Sequence, residues 1–139
     1  MEILNEFDMS SDCTPMVIVH PLEGHVNMLG KLANLLQCPT YGIQYTKEAM
    51  CCETIQELAK YYWTKIEAQM GKTCQIHLCG YGFGALVALE MFGLNKSRCV
   101  SLTLLGISFY EAFFSNQFFL NHLFFFLHID SGKPCLRIK

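Results

Sequence analysis

The stretch Gly80-Tyr81-Gly82-Phe83-Gly84 constrains this chain more than any other. Three glycines alternate with two aromatic residues. An apolar run from Cys74 to Cys79 leads in, and Ala85-Leu86-Val87-Ala88-Leu89-Glu90-Met91 leads out toward Gly93. The first run has the length and composition of a buried strand, and the second has those of a buried helix. A glycine-rich turn joins them, and glycine tolerates backbone conformations that other residues avoid. The chain around this turn must therefore supply a sheet for the strand and a layer of helices to cover it.

Read in order, the rest of the chain meets that demand. Pro15 to His20 is apolar and rich in β-branched residues, which predicts a buried parallel strand. After the loop His20-Pro21-Leu22-Glu23-Gly24, the residues Met28, Leu29, Leu32, Ala33, Leu35 and Leu36 fall at helical spacing. Asn27 stands at the N-cap position, and Cys38-Pro39 ends the helix. Thr40 to Tyr45 predicts a second strand. Thr54-Ile55-Gln56-Glu57 is a capping box opening a helix whose apolar stripe is Ile55, Leu58, Ala59, Tyr62 and Ile66, and which Gly71 stops. Val100 to Leu105 is a fourth strand. Alternating strands and helices define an α/β chain with a mostly parallel sheet of about four strands, in the spatial order second, first, third, fourth. Residues 1–14 read as a disordered acidic lead-in, 15–108 as the single folded domain, and 109–139 as an aromatic-rich tail.

Composition narrows the function. The 139 residues carry a net charge of −2, which gives no basic footprint for nucleic acid. The first 13 residues contain four acids and no base, the reverse of an export or mitochondrial leader. Eight cysteines without a C-x-x-C pair then read as reduced thiols in the cytoplasm rather than disulfides or a zinc site. No cofactor and no metal is expected.

Four segments in register resemble a known family. These are Val19-His20-Pro21-Leu22-Glu23-Gly24, Pro39-Thr40-Tyr41-Gly42-Ile43-Gln44, Ile55-Gln56-Glu57-Leu58-Ala59-Lys60-Tyr61-Tyr62, and Gly80-Tyr81-Gly82-Phe83-Gly84-Ala85 with Ala88-Leu89-Glu90-Met91. Together they are similar to the thioesterase domain of animal fatty acid synthase, a member of the α/β-hydrolase superfamily, from about Pro15 to Leu105. The resemblance implies a truncated α/β-hydrolase core. It implies hydrolysis of fatty acyl thioesters on acyl carrier protein, with the carrier or the acyl thioester as partner. The glycine turn corresponds to the G-x-S-x-G nucleophile elbow.

The family's site residues carry over only in part. The oxyanion donors map to the backbone N–H groups of Leu22 and Phe83. The nucleophile position is Gly82, which has no side chain to attack with. The acid position is Gly106, and the family histidine lies downstream of the matching stretch. A non-glycine residue at an elbow carries strain of about 1–3 kcal/mol, which glycine relieves. The resemblance and the substitutions together point to a catalytically dead copy. A non-catalytic acyl or carrier-protein binding module, or a non-functional fragment, is the alternative.

Other candidates have plainer readings. His20 and His25 flank the oxyanion loop and suit turn hydrogen bonding better than base catalysis. His77 lies within a strand. Cys79 sits on the strand rather than at the apex, where a buried thiol is inert. Glu23 reads as a loop hydrogen-bonding residue. Tyr61, Tyr62 and Trp63 read as packing. For the tail, Ala112 to Ile129 carries no formal charge but is interrupted by polar residues, so an amphipathic helix packed on the sheet is expected. Membrane-interface contact over 109–129 ranks second.

Overall fold

A computed structural model describes residues 1–5, 13–107, 125–130 and 133–138. Seven strands form one sheet: β1 (Glu2–Ile3), β2 (Met16–Val19), β3 (Thr40–Ile43), β4 (Ile76–Tyr81), β5 (Cys99–Ile107), β6 (Phe125–Asp130) and β7 (Lys133–Ile138). The helices are α1 (Gly30–Ala33), α2 (Ile55–Met70) and α3 (Phe83–Leu94). The spatial order is β1-β3-β2-β4-β5-β6-β7. Its centre, β3-β2-β4-β5, is parallel and follows the order expected from sequence. The chain leaves β2 in one direction along the sheet and leaves β4 in the other. These neighbouring strands therefore form a topological switch point, with a crevice outside their C-terminal ends.

Alternation along the strands explains the two faces. Val17, Val19, Ile76, Leu78, Leu102 and Leu104 point to one side and pack with Leu58, Tyr62, Ile66, Val87 and Met91 of α2 and α3. Ile18 and Cys79 point to the other side and pack with Val26 and Leu29. Both faces are buried, as parallel strands require. α2 and α3 are joined where the Trp63 Nε1–H donates to the Met91 carbonyl at 2.8 Å. Arg98, 7% exposed, closes the far end. Its guanidinium donates to the carbonyls of Gly71 and Cys74 at 2.9 and 3.1 Å, pairs with Glu67 at 3.2 Å, and lies over the Trp63 ring.

Local signals held unevenly. The Thr54 hydroxyl accepts the Glu57 N–H at 3.2 Å, completing half of the capping box. The Glu57 carboxylate accepts from Glu53, one residue before the cap, rather than from Thr54 itself. The expected helix after Asn27 is much shorter: a 3-10 turn over Asn27–Leu29 and one turn of α-helix, with no side-chain cap. Gly30 at its start and Asn34 at its end, both poor helix formers, explain the brevity.

Two expectations are corrected at the sheet edges. Residues 1–5 of the supposed disordered lead-in are structured. Glu2–Ile3 pairs antiparallel with β3, and Asn5 is buried. The Asn5 amide donates to the Ala33 and Cys38 carbonyls and its oxygen accepts the Thr40 N–H, so a short polar side chain, not acidity, decides the conformation. Residues 6–12 lie outside the described residues. In the tail, the end of the expected helix is instead the strand 125–130, which pairs antiparallel with β5, and 133–138 is a further strand pairing antiparallel with β6. The edge of β5 offers unpaired backbone groups, and a run of Phe, Leu and Ile suits a strand that satisfies them. The remainder of the expected tail helix, 109–124, lies outside the described residues. Among the described residues no helix is long and apolar enough to cross a membrane.

The glycines of the turn test this packing. An ideal Cβ on Gly80 would sit 2.6 Å from the Cα of Ala85, whereas one on Gly93 meets nothing within 4 Å. Gly80→Ala is expected to lower unfolding free energy by about 1–3 kcal/mol. Gly93→Ala, in a helix with free space, is expected to raise it by about 0.5–1 kcal/mol. Urea unfolding of both variants checks the pair.

Candidate active site

The crevice outside the ends of β2 and β4 is built from two short segments. One is the loop after β2, closed by the Gly24 N–H donating to the Pro21 carbonyl at 3.0 Å. The other is the turn at Gly82, which joins β4 to α3. Gly82 has φ 56° and ψ −120°, a conformation that L side chains rarely adopt. Its N–H donates to the Leu105 carbonyl at 2.9 Å and its carbonyl accepts from Ala85 at 3.0 Å, so the apex is held from both sides. An ideal Cβ at Gly82 meets nothing within 4 Å; the direction a nucleophile's side chain would take is open.

The two segments touch through backbone. A Cβ on Gly84 would collide with the His20 carbonyl and stand 2.6 Å from that of Val19. Phe83, the first residue of α3, stacks on the His20 ring at 6.0 Å. Leu22 lies in the loop with its side chain 79% exposed. The fold thus brings the segments of Leu22, Gly82 and Phe83 to one corner. Gly106 is there too, near the end of β5 at an irregularity between Leu105, which is paired with Tyr81, and Ile107. It has φ 63°, and a Cβ on it would stand 3.2 Å from the Tyr81 ring. A side chain at 106 faces both a left-handed backbone and an aromatic wall.

His20 is the most constrained polar group of the corner. It is 2% exposed. Its Nδ1 lies 2.7 Å from the Pro21 carbonyl and its Nε2 lies 2.6 Å from the Tyr62 hydroxyl. Tyr45 and Tyr62 meet the ring edge-on. Burial lowers the His20 pKa, the Pro21 hydrogen bond opposes this, and nearby His25 adds to the lowering. Burial likewise raises that of the Tyr62 hydroxyl. Both groups are therefore neutral near pH 7. Sequence reading treated Tyr62 as packing alone; period-3.6 spacing shows which face of a helix is buried, not where a hydroxyl at its edge finds a partner.

The other candidates lie apart from this constellation. His25 and Glu23 are exposed. The His77 Nδ1 is 2.8 Å from the Ser101 hydroxyl, paired across β4 and β5 at the opposite end of the sheet. Cys79 is buried, and its thiol is pushed up to about 12, so it is no nucleophile at neutral pH. Beyond Tyr62, a groove of about 330 Å³ opens between β1, the end of β3 and α2, with Tyr45, Tyr61 and Lys65 in its wall.

A parallel sheet with helices on both faces and a strand-turn-helix elbow at its switch point is the α/β-hydrolase fold. No protein-family model matches the chain. Among solved structures it is similar to the NocB thioesterase domain in covalent complex with a fluorophosphonate nocardicin G analogue. That likeness has 26% identity and a TM-score of 0.54, over 61% of this chain and 40% of the other. A second structure, the NocB thioesterase domain from the nocardicin cluster, shows 25% identity and a TM-score of 0.49 over 60% and 39% of the two chains. The structural neighbours are thioesterase domains, and this chain spans about 40% of their length.

The buried imidazole makes stability depend on pH. His20 has a folded pKa below its ordinary value of 6.5, so the unfolded chain binds the proton more readily. Its contribution is fully present above pH 6.5 and is lost as pH falls from there through the folded value. Stability of the domain is expected to drop on acidification below about pH 6.5, and His20→Phe is expected to flatten that part of the curve. Denaturation midpoints measured from pH 8 to pH 5 check both.

Proposed function

We propose that this chain is a thioesterase-type domain that recognises fatty acyl thioesters, presented by acyl carrier protein in fatty acid synthesis, without hydrolysing them. The resemblance to the fatty acid synthase thioesterase supplies the substrate class, and the thioesterase neighbours support the broader one. The observation that carries the reading is the elbow itself: its strained backbone and open approach are kept, while glycine stands at the apex.

Acyl transfer by this fold needs an activated nucleophile and an oxyanion site. In this reading the N–H groups of Leu22 and Phe83 are the oxyanion donors; backbone donors do not depend on side-chain identity. Gly82 occupies the nucleophile position and Gly106 the acid position, so no acyl-enzyme bond can form at the apex. The nearest imidazole, His20, has both nitrogens engaged. What remains is a corner that can hold a thioester carbonyl and cannot cleave it. The domain acts in the cytoplasm, with no metal and no cofactor.

The test is a thioesterase assay and a binding assay on the same protein. An acyl N-acetylcysteamine thioester is expected to bind and to release no thiol above the uncatalysed rate. Gly82→Ser is expected to recover little, because a neutral hydroxyl without a positioned base is a weak nucleophile and triad members act as a unit. Turnover by the unaltered chain would overturn the reading, and so would failure of the thioester to bind.

A further inference from the structure

Nδ1 of His20 faces a carbonyl oxygen, which can only accept, so Nδ1 carries the proton. Nε2 then presents a lone pair, and the Tyr62 hydroxyl at 2.6 Å must be the donor. The opposite tautomer would set a lone pair against the Pro21 carbonyl at 2.7 Å, inside a ring that is 2% exposed. The same ring stacks on Phe83, and its own carbonyl lies against Gly84. One imidazole thus joins three elements: α2 through Tyr62, the loop after β2 through Pro21, and the start of α3 through Phe83.

We propose that Tyr62 is a positioning residue. The Pro21 carbonyl sets the Nδ1–H tautomer, and Tyr62, by donating its hydroxyl proton to Nε2, holds that ring in place and with it the 20–24 loop against the Gly82 turn. Tyr62 itself does not touch the reacting atoms; it acts through His20. The titratable groups that face His20 are Tyr62 from α2, Tyr45 from the segment after β3, and His25 from its own loop; Phe83 faces it from α3. His25 is exposed, and burial keeps the His20 ring neutral near pH 7, so it holds one hydrogen-bonding pattern there. The consequence for ligand affinity rests on the acyl-thioester reading above, but the positioning itself does not.

The test uses the full chain labelled with nitrogen-15. In the unaltered protein, the imidazole nitrogen shifts are expected to show His20 as the neutral Nδ1–H tautomer at pH 7. Tyr62→Phe keeps the ring in the core and removes the donor. It is expected to move the backbone amide signals of Leu22, Glu23, Gly24 and Phe83. Affinity for the acyl N-acetylcysteamine thioester is expected to fall about three- to tenfold, the worth of one net hydrogen bond. A purely structural role would lower the melting temperature and leave the loop amides in place.

An Nε2–H tautomer in the unaltered protein overturns the proposal, as does a folded Tyr62→Phe with unchanged loop signals. If the thioester binds neither protein, the acyl-thioester reading falls alone, and the tautomer and amide shifts still decide the positioning role. His20→Phe, which keeps a stacking ring and loses both hydrogen bonds, is the second variant, with the same loop shifts expected. Should both variants fail to fold, the tautomer of the unaltered protein decides.

Discussion

The end of β4 lies against the first turn of α3, backbone on backbone, with no side chain between them. Gly80 and Gly84 make this approach, and at either position a Cβ would meet main-chain atoms that cannot move aside. Once strand and helix are this close, the residue between them must reverse the chain abruptly, and Gly82 takes the left-handed conformation that does so. The same closeness lets the Val19 and His20 carbonyls rest on Gly84, which brings the loop after β2 to the turn. The three glycines therefore serve different ends. Two permit proximity, and one permits curvature.

The corner so built is electrically quiet. His20 and Tyr62 are neutral, the Cys79 thiol stays protonated, and no acid stands at Gly106. A neutral carbonyl loses little by entering such a site, and backbone N–H groups at a helix start favour the oxygen end of its dipole. Cleaving a thioester asks for more, since charge must move from a nucleophile to a base. The open direction at Gly82 marks where that charge would begin in a hydrolase, and the glycine removes its source.

Away from the corner, polar side chains hold the frame. Arg98 gathers the end of α2 and the approaches to β4 and β5 around one buried guanidinium whose donors reach two carbonyls and a carboxylate. Asn5 does the same for the opposite edge, tying the first residues to the end of α1 and the start of β3. Buried polar groups are tolerated here because each has its partners. Asn5 also anchors the chain just after β1, whose own pairing is short.

The central strands, α2 and α3, and the order of the parallel sheet were legible in the sequence, because each depends on a local period or on the rule for successive βαβ units. The elbow was legible for the same reason: Gly80, Gly82 and Gly84 lie within five residues, and their spacing alone announces a close strand-to-helix turn. Only tertiary structure could show that the Tyr62 hydroxyl meets His20, 42 residues away, or that Asn5 meets Thr40. Neither contact leaves a periodic trace. The helical fate expected for the tail failed over 125–129 because a strand beside β5 is stabilised by the backbone groups of its neighbour, which are not encoded in the segment itself. Local pattern fixes what an element buries; what a polar atom or a sheet edge pairs with is decided by whichever distant part of the chain the fold brings beside it.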